Sequence, residues 1–306
     1  MISTLPLLHK AFLEALIEKL KLDDRFDALL AGGSMVHGGL DEHSDIDLVP
    51  VVRSEAYTRV LAERREIADS LGNLLCAFTG EHVGEPRLLI CLYGPQLLHV
   101  DLKFVVLSDL EHLVERPRIL WARDRAAISS AVDAATIAWP NRSAEWFEER
   151  AWIWLHYGAT KLQRGELFEA MGMIAFFREQ VLGPMLHRRS GRPQRGVRRI
   201  ELDGQSTTAL LDVVARHDRE SVSAALANAI RLYLDLRNDE RPKTITPGMP
   251  DLLMPLLVSR QHRKRRGTRR LSSRSVAAVA ARERPAELGP QQENLGRIVD
   301  PDQKDD

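Results

Sequence analysis

The chain has 306 residues, of which 44% are hydrophobic and 28% charged, with 43 basic and 43 acidic side chains. This length and composition are typical of a globular protein with one large domain or two modest ones. The balanced charge gives no overall field that would favour nucleic acid or an acidic membrane surface. No apolar run approaches the ~18 residues of a membrane span, and charged residues interrupt the first apolar stretch, unlike a signal peptide. We therefore expect a cytoplasmic protein with no membrane partner and no nucleic-acid partner.

The N-terminal part alternates predicted helices with short predicted strands. Apolar residues at helical spacing predict a helix over Leu7–Leu20, and a second helix is predicted over Glu55–Leu71. Short apolar stretches bounded by glycine and proline predict strands at Phe26–Ala31, Asp45–Val52, Leu74–Thr79, Leu88–Leu92 and Leu97–Leu107. This pattern predicts a mixed sheet flanked by helices, and Cys76 and Cys91, which lie in its apolar segments, are expected in the core.

A glycine-rich turn follows the first predicted strand, and two carboxylates begin the second. Gly32, Gly33 and Ser34 form a turn whose backbone can approach a ligand closely and whose N–H groups can attract an anion. Asp45 and Asp47 are two residues apart, so on a strand they point to the same side, about 6.6 Å apart. Paired carboxylates suit a hard divalent cation that also bridges to phosphate oxygens. The stretch therefore predicts a combined phosphate and metal site.

The last predicted strand of this part has one apolar face and one ionisable face. His99, Asp101 and Lys103 share the ionisable face, which is typical of a strand that is solvated or lines a site. Asp101 is interpreted either as an edge-strand acid paired with His99 or Lys103, or as a third acid of the site. For Lys103, pairing with an acid is favoured over contact with a phosphate. Three converging carboxylates would raise one another's pKa, and a divalent cation would remove that conflict.

The spacing Gly-Ser, about ten residues, then Asp-x-Asp resembles the signature of the polymerase-beta-like nucleotidyltransferase superfamily, and within it the aminoglycoside-type enzymes. The resemblance implies that Asp45, Asp47 and Asp101 are the catalytic residues and the Mg²⁺ ligands, with Asp101 acting as ligand, general base or both. It also implies that the triphosphate is held by Gly32, Gly33, Ser34 and Lys103.

The resemblance further implies transfer of a nucleoside monophosphate from a nucleoside triphosphate, with ATP expected, to a hydroxyl group, with release of pyrophosphate. The expected acceptor is a small, hydroxylated, cationic compound such as an aminoglycoside antibiotic, so antibiotic resistance is the expected role. One alternative is a toxin–antitoxin type enzyme that adenylylates a protein, with Arg150 and His156 on a HEPN-like helical domain. A second alternative adds nucleotides to RNA ends, which would need a broad basic surface. A third is an inactive binding module, against which the intact acids argue.

The second part of the chain is predicted to be helical. Helices are expected over Arg125–Val132, Glu145–Gln163, Leu167–Leu182, Thr207–His217 and Ser221–Leu236, and short connections favour an antiparallel bundle. Gly183-Pro184 is expected to end the third of these helices. Trp152, Trp154 and Tyr157 are expected to pack in the core. The glutamates Glu81, Glu85, Glu166 and Glu169 are expected to be solvated or capping, with contact to a cationic acceptor as the alternative.

A basic segment and a proline-rich end complete the chain. The basic loop contains six arginines, for which a solvated loop is favoured over contact with the triphosphate: Arg188, Arg189, Arg192, Arg195, Arg198 and Arg199. Beyond residue 240, prolines and the basic run Arg260–Arg266 predict a mostly disordered tail. The predicted fold class is α+β, with a nucleotidyltransferase domain at 1–124, a helical bundle domain at 125–240 and the tail at 241–306.

Overall fold

A six-stranded mixed sheet forms the N-terminal half of the computed structural model, which describes residues 5–258. Its strands are β1 Phe26–Ala31, β2 Ile46–Val52, β3 Leu74–Gly80, β4 Glu85–Tyr93, β5 Leu98–Lys103 and β7 Arg118–Ala122. Their order across the sheet is β3-β4-β5-β2-β1-β7. Neighbouring strands β2 and β5 run parallel, and the other neighbours run antiparallel. Two short parallel strands, β6 His112–Leu113 and β8 Thr136–Ile137, pair beside the sheet.

Helices surround the sheet and then form the second half of the described chain. They are α1 Leu7–Leu22, α2 Ser34–His37, α3 Tyr57–Asp69, α4 Arg125–Ala134, α5 Ala144–Arg164, α6 Leu167–Phe177, α7 Gly183–Arg189, α8 Gly204–Leu211 and α9 Arg219–Arg237. Among residues 5–258, no helix is both long enough and apolar enough to cross a membrane. The predicted α+β class, a mixed sheet with flanking helices followed by a helical region, is confirmed.

The two faces of the sheet are buried by different elements. One face packs against α1 and α3, with Leu13 and Val60 fully buried against strand residues such as Ile46. The other face carries Ala28, Leu30 and Val51, and it is covered by Ile128 and Val132 of α4. In its packing, α4 therefore belongs with the sheet, although the sequence placed residues 125–240 in the helical domain.

A separate apolar core holds the C-terminal helices together. Long apolar stripes on α5 and α9 bury Phe147, Leu155 and Leu162 against Leu226 and Ile230. The N-terminus of α5 is capped by the hydroxyl of Ser143, which accepts a hydrogen bond from the Trp146 amide. Gly165, in the left-handed conformation (φ 80°) at the C-cap position, ends the helix.

One buried carboxylate in this helical core accepts hydrogen bonds from several elements. Glu148 on α5 is 3% exposed. It accepts hydrogen bonds from Trp152 Nε1 at 2.8 Å, Tyr233 Oη at 2.5 Å, the Thr246 amide at 2.9 Å and Arg237 Nη1 at 3.1 Å. The acid therefore ties α5 to α9 and to the chain that follows α9.

One predicted helix end and the predicted burial of one cysteine are wrong. The helix predicted to stop at Gly183-Pro184 continues through a wide π turn, Arg178–Leu182, into α7. Pro184 lies in the first turn of α7, directly after this π turn. Cys76, expected in the core, is exposed on the edge strand β3, whereas Cys91 on β4 is buried.

Strand β7 was not predicted, because residues 118–122 show neither alternation nor a clear pair of turn signals. It pairs with β1 as the opposite edge strand, with Leu29 opposite Trp121. As a result, the residues immediately before β7 lie beside the turn that follows β1.

The described chain continues past the predicted start of the tail. Leu253 and Leu257 are 1% and 5% exposed and pack into the helical core, so residues 241–258 include ordered chain. The rest of the predicted tail, residues 259–306, lies outside the described residues. Residues 5–258 form one compact unit, and the predicted boundaries at 124 and 240 stay predictions.

Candidate metal and phosphate site

Three carboxylates converge at one end of the sheet. Asp47 on β2 lies directly opposite Asp101 on β5 in the parallel pairing, and Asp45 immediately precedes β2. One carboxylate oxygen from each residue lies within 4.8 Å of the other two. We call Asp45, Asp47 and Asp101 the acidic cluster. The structure thus brings together the three acids that the sequence singled out.

Different elements hold the members of the acidic cluster in place. Strand register fixes Asp47 and Asp101, but Asp45 belongs to the loop before β2 and needs its own anchor. That loop is tied to α1, because His9 Nε2 lies 2.8 Å from the Ser44 carbonyl oxygen. Within the loop, the Ser44 hydroxyl donates to Asp41 at 2.9 Å. The residue before Asp45 is therefore held by contacts on two sides.

The negative charges of the acidic cluster repel one another. Burial raises the pKa of Asp47 to about 6, and the negative charges of Asp45, Asp101 and Glu115 add to this rise. Burial also raises the pKa of Asp101, although His99 Nε2, 3.0 Å from the Asp101 carboxylate, opposes the shift. Oxygen ligands at this spacing are what Mg²⁺ or Mn²⁺ prefers, and such an ion would remove the repulsion. The donor set therefore fits a divalent cation.

The turn after β1 brings backbone amides against the acidic cluster. Gly33 has φ +56°, and a Cβ at this position would lie only 1.8 Å from Asp47 Oδ2. Any other residue would be strained and would collide with Asp47, so both the backbone conformation and the close approach require glycine. The sequence prediction that this turn approaches a ligand site depended on the same property of glycine.

A buried hydroxyl beside this turn has no partner. Ser34 is 7% exposed, and its Oγ makes no hydrogen bond within residues 5–258. Buried hydroxyls are normally hydrogen-bonded, so an unpaired one at the wall of a cavity indicates a ligand atom. Ser34 lines a cavity of about 270 Å³, and Gly33 also lines a neighbouring cavity of about 370 Å³ that reaches Asp47 and Asp101. Gly32 lines this larger cavity as well.

Lys103 faces the larger cavity but is engaged with an acid. Its Nζ lies 2.7 Å from Glu85 Oε2, and Arg87 Nε lies 2.7 Å from Glu85 Oε1. Arg87 also lies 3.1 Å from Asp109. These contacts agree with the favoured interpretation that Lys103 pairs with an acid. Through these contacts the other acids on this wall, Glu85 and Asp109, are neutralised by Lys103 and Arg87.

The basic loop after α7 turns toward the site instead of being solvated throughout. Arg192, Arg195, Arg198 and Arg199 line the cavity next to Ser34. Arg198 is close enough to lower the pKa of Asp47. The other two of the six arginines, Arg188 and Arg189, lie in the last turn of α7 and pair with acids at the end of α9 and just beyond it: Arg188 with Glu240, and Arg189 with Asp235 and Asp239. Arg192 and Arg195 are only partly exposed, so the favoured solvated interpretation is wrong for these two, whereas Arg198 and Arg199 border the cavity but stay exposed as expected.

Glu115 was missed by sequence reasoning. It precedes β7, and its Oε1 accepts a hydrogen bond from the Gly33 amide at 2.6 Å. Its Oε2 lies 2.5 Å from His37 Nε2 and 3.2 Å from Arg195 Nη2. Burial alone would raise the pKa of Glu115, but these three partners outweigh burial and hold its pKa below the usual range. No motif surrounds this glutamate, so only the position of β7 beside β1 could have revealed it.

Other candidate side chains lie away from the acidic cluster. Glu166 and Glu169 pair with Lys161 at 2.8 and 2.5 Å, and Glu81 contacts the Thr79 hydroxyl, so these glutamates have local partners. Trp152 is buried in the helical core, as predicted. Tyr157, by contrast, is 40% exposed.

Arg150 and His156, the pair considered for a toxin–antitoxin type enzyme, do not share a face of α5. Six residues apart, they are rotated by about 120° around the helix axis. Arg150 stacks over the Trp146 ring at 4.4 Å and contacts Glu149 at 3.1 Å, and His156 is exposed. The geometry gives no joint site for these two side chains.

Comparisons with known proteins give likenesses in structure only. No family model matches the chain, and no curated protein matches its sequence. An aminoglycoside 6-adenyltransferase from Bacillus subtilis is similar over 74% of this chain and 88% of its own, with 14% identity and a TM-score of 0.30. A nucleotidyltransferase-like protein from Exiguobacterium sibiricum is similar over 74% of each chain, with 12% identity and a TM-score of 0.33. At these TM-scores neither likeness carries a functional conclusion, which depends on the site itself.

Proposed function

We propose that this protein is a divalent-metal-dependent nucleotidyltransferase that moves a nucleoside monophosphate from a nucleoside triphosphate to a hydroxyl group of a small acceptor. The observation that carries the proposal is the convergence of Asp45, Asp47 and Asp101 beside a glycine turn with an unpaired buried hydroxyl. Within residues 5–258 the three acids have one side-chain hydrogen-bond partner, His99 beside Asp101, and they lie next to a turn whose buried Ser34 hydroxyl is unpaired. That pairing is what a metal–triphosphate complex needs.

One group of residues would bind the phosphates, and another group would bind the metal ion. The Gly33–Ser34 turn and the Ser34 hydroxyl would hold phosphate oxygens, with Gly32 shaping the wall. Arg198, which faces both cavities, adds positive charge on the phosphate side. Asp45, Asp47 and Asp101 would hold Mg²⁺ or Mn²⁺, which when bound supplies charge neutralisation for the phosphates. Lys103 stays paired with Glu85.

The transfer itself needs positioning and charge more than covalent chemistry. The acceptor oxygen attacks the α-phosphorus, a new P–O bond forms, and the bond to the departing pyrophosphate breaks. Asp101 lines the larger cavity and is placed either to take the acceptor's proton or to complete the metal site.

ATP is the nucleotide to test first, and an aminoglycoside-like antibiotic is the first acceptor, because the sequence resemblance points to both. The test is a pyrophosphate-release screen of aminoglycosides, lincosamides and other hydroxylated amines, with Mg²⁺ or Mn²⁺ and with Asp47→Asn as the blank. We expect release with at least one acceptor and only when a divalent cation is present. Equal release by the Asp47→Asn protein would contradict the proposal.

A further inference from the structure

The Glu115 carboxylate occupies the backbone amide that a phosphate oxygen would use. Its side chain is 18% exposed, and one oxygen lies 2.6 Å from the Gly33 nitrogen. The other oxygen contacts His37 and Arg195. One backbone amide, one imidazole and one guanidinium thus converge on a single acid.

This donor set suits a phosphate as well as a carboxylate. Both anions accept charge-assisted hydrogen bonds from guanidinium groups and backbone amides, and the bond lengths are similar. Arg195 is held ready by its neighbours, because its guanidinium stacks 4.4 Å from the Trp139 ring centroid. Trp139 is fixed in turn by the hydrogen bond from its Nε1 to the Gln194 carbonyl at 3.1 Å.

The neighbourhood also holds more donors than the protein satisfies. Among residues 5–258, Ser34 Oγ, Arg192 Nε and Arg195 Nε are buried without a hydrogen-bond partner. Ser34 and Arg192 line the same cavity of about 270 Å³ as His37 and Arg195. Glu115 satisfies part of this site and leaves the rest for a larger anion.

We propose that Gly33 N–H, His37 and Arg195 form a phosphate subsite, and that Glu115 fills it as an internal place-holder until a polyphosphate chain displaces it. The inference rests on the proposed function, since the polyphosphate is the triphosphate of the nucleotide. Displacement transfers His37 and Arg195 from the carboxylate to the phosphate. Before that, Glu115 keeps both side chains in place and competes with the ligand.

The test is calorimetric titration of the full-length protein with inorganic tripolyphosphate, without acceptor. Glu115→Gln keeps the shape of the side chain but removes its charge, so we expect tripolyphosphate to bind at least about tenfold more tightly than to the wild type. Arg195→Gln should weaken binding by about tenfold or more. Glu111→Gln, an exposed glutamate four residues earlier, is the matched control and should leave the affinity unchanged.

Circular dichroism melts of each variant show that the protein tested is folded. Unchanged or weaker binding by the folded Glu115→Gln protein would overturn the place-holder inference and leave the nucleotidyltransferase proposal standing. Tighter binding by Glu115→Gln, combined with no release of pyrophosphate from the nucleotide in the presence of any acceptor, would support the subsite and contradict the proposed transfer reaction. Absence of tripolyphosphate binding by every variant would overturn the subsite.

Discussion

Two acids with restricted exposure, the buried Glu148 in the helical half and the half-buried Asp47 in the sheet half, have opposite surroundings. In the helical core, Glu148 receives four kinds of donor, which lower its pKa to about 2 although burial alone would raise it. At the end of the sheet, Asp47 faces other acids, and burial with their charge raises its pKa to about 6. A structural acid brings its own partners within the chain. An acid that lines a cavity and lacks such partners is a candidate for binding an external cation.

The largest expected effect is a loss of activity when a member of the acidic cluster is replaced. Asp47→Asn should reduce pyrophosphate release by about 10³-fold or more, because a metal ligand is lost. It should not lower the melting temperature of the metal-free protein, because the substitution removes repulsion with Asp45 and Asp101. Activity assays and thermal melts check both parts. A destabilised but active variant would contradict the account.

Replacing Glu148 in the helical core should lower stability, in contrast to replacing Asp47. Glu148→Ala leaves Arg237 and Tyr233 buried without their partner, so we expect the free energy of unfolding to fall by about 3–5 kcal/mol. Glu149→Ala is the matched control: this neighbouring side chain is 69% exposed, and its loss should cost less than about 0.5 kcal/mol. Urea unfolding followed by circular dichroism measures both. Equal effects of the two substitutions would show that the Glu148 contacts contribute little.

The pH dependence of stability should follow the sign of the Glu148 shift. Since its pKa is lowered to about 2 in the folded protein, its contribution is fully present above the unfolded value and is lost as the pH falls toward 2. The shift corresponds to roughly 3 kcal/mol of stability between about pH 5 and pH 2. Comparing the unfolding free energies of wild type and Glu148→Gln at each pH isolates this term. The difference between them should change by that amount, and a constant difference would contradict the assignment.

The smallest expected effect concerns the glycine turn. Gly33→Ala and Gly38→Ala both place alanine at a positive φ, but only at Gly33 would the new Cβ collide with Asp47; at Gly38 it meets nothing within 4 Å. Both should lose about 1–2 kcal/mol of stability from backbone strain. Only Gly33→Ala should also impair pyrophosphate release, and the activity ratio between the two variants measures the cost of displacing Asp47. Equal activities would show that the close approach of Gly33 is unimportant.

Local sequence patterns predicted the residues of the acidic cluster, but they did not predict the contacts that depend on how the strands pair. Alternation placed Asp45 and Asp47 on one face of a strand, and His99, Asp101 and Lys103 on one face of another. That Asp47 lies opposite Asp101 depends on a parallel pairing, which is a tertiary choice. Glu115 lies 82 residues after Gly33 and meets it only because β7 pairs with β1. The position of Arg195 depends on the continuation of the chain past Gly183-Pro184 into α7, where local rules predict a stop.

The most direct test of the central claim is Mn²⁺ binding, measured by titration calorimetry on wild type, Asp101→Asn and the control Glu42→Gln. Glu42 lies three residues before Asp45, with a side chain that is 80% exposed. If Asp45, Asp47 and Asp101 form one metal site, Asp101→Asn should weaken Mn²⁺ binding by about tenfold or more, and Glu42→Gln should bind like the wild type. Binding by Asp101→Asn at wild-type affinity would contradict a shared site and the transfer chemistry proposed for it.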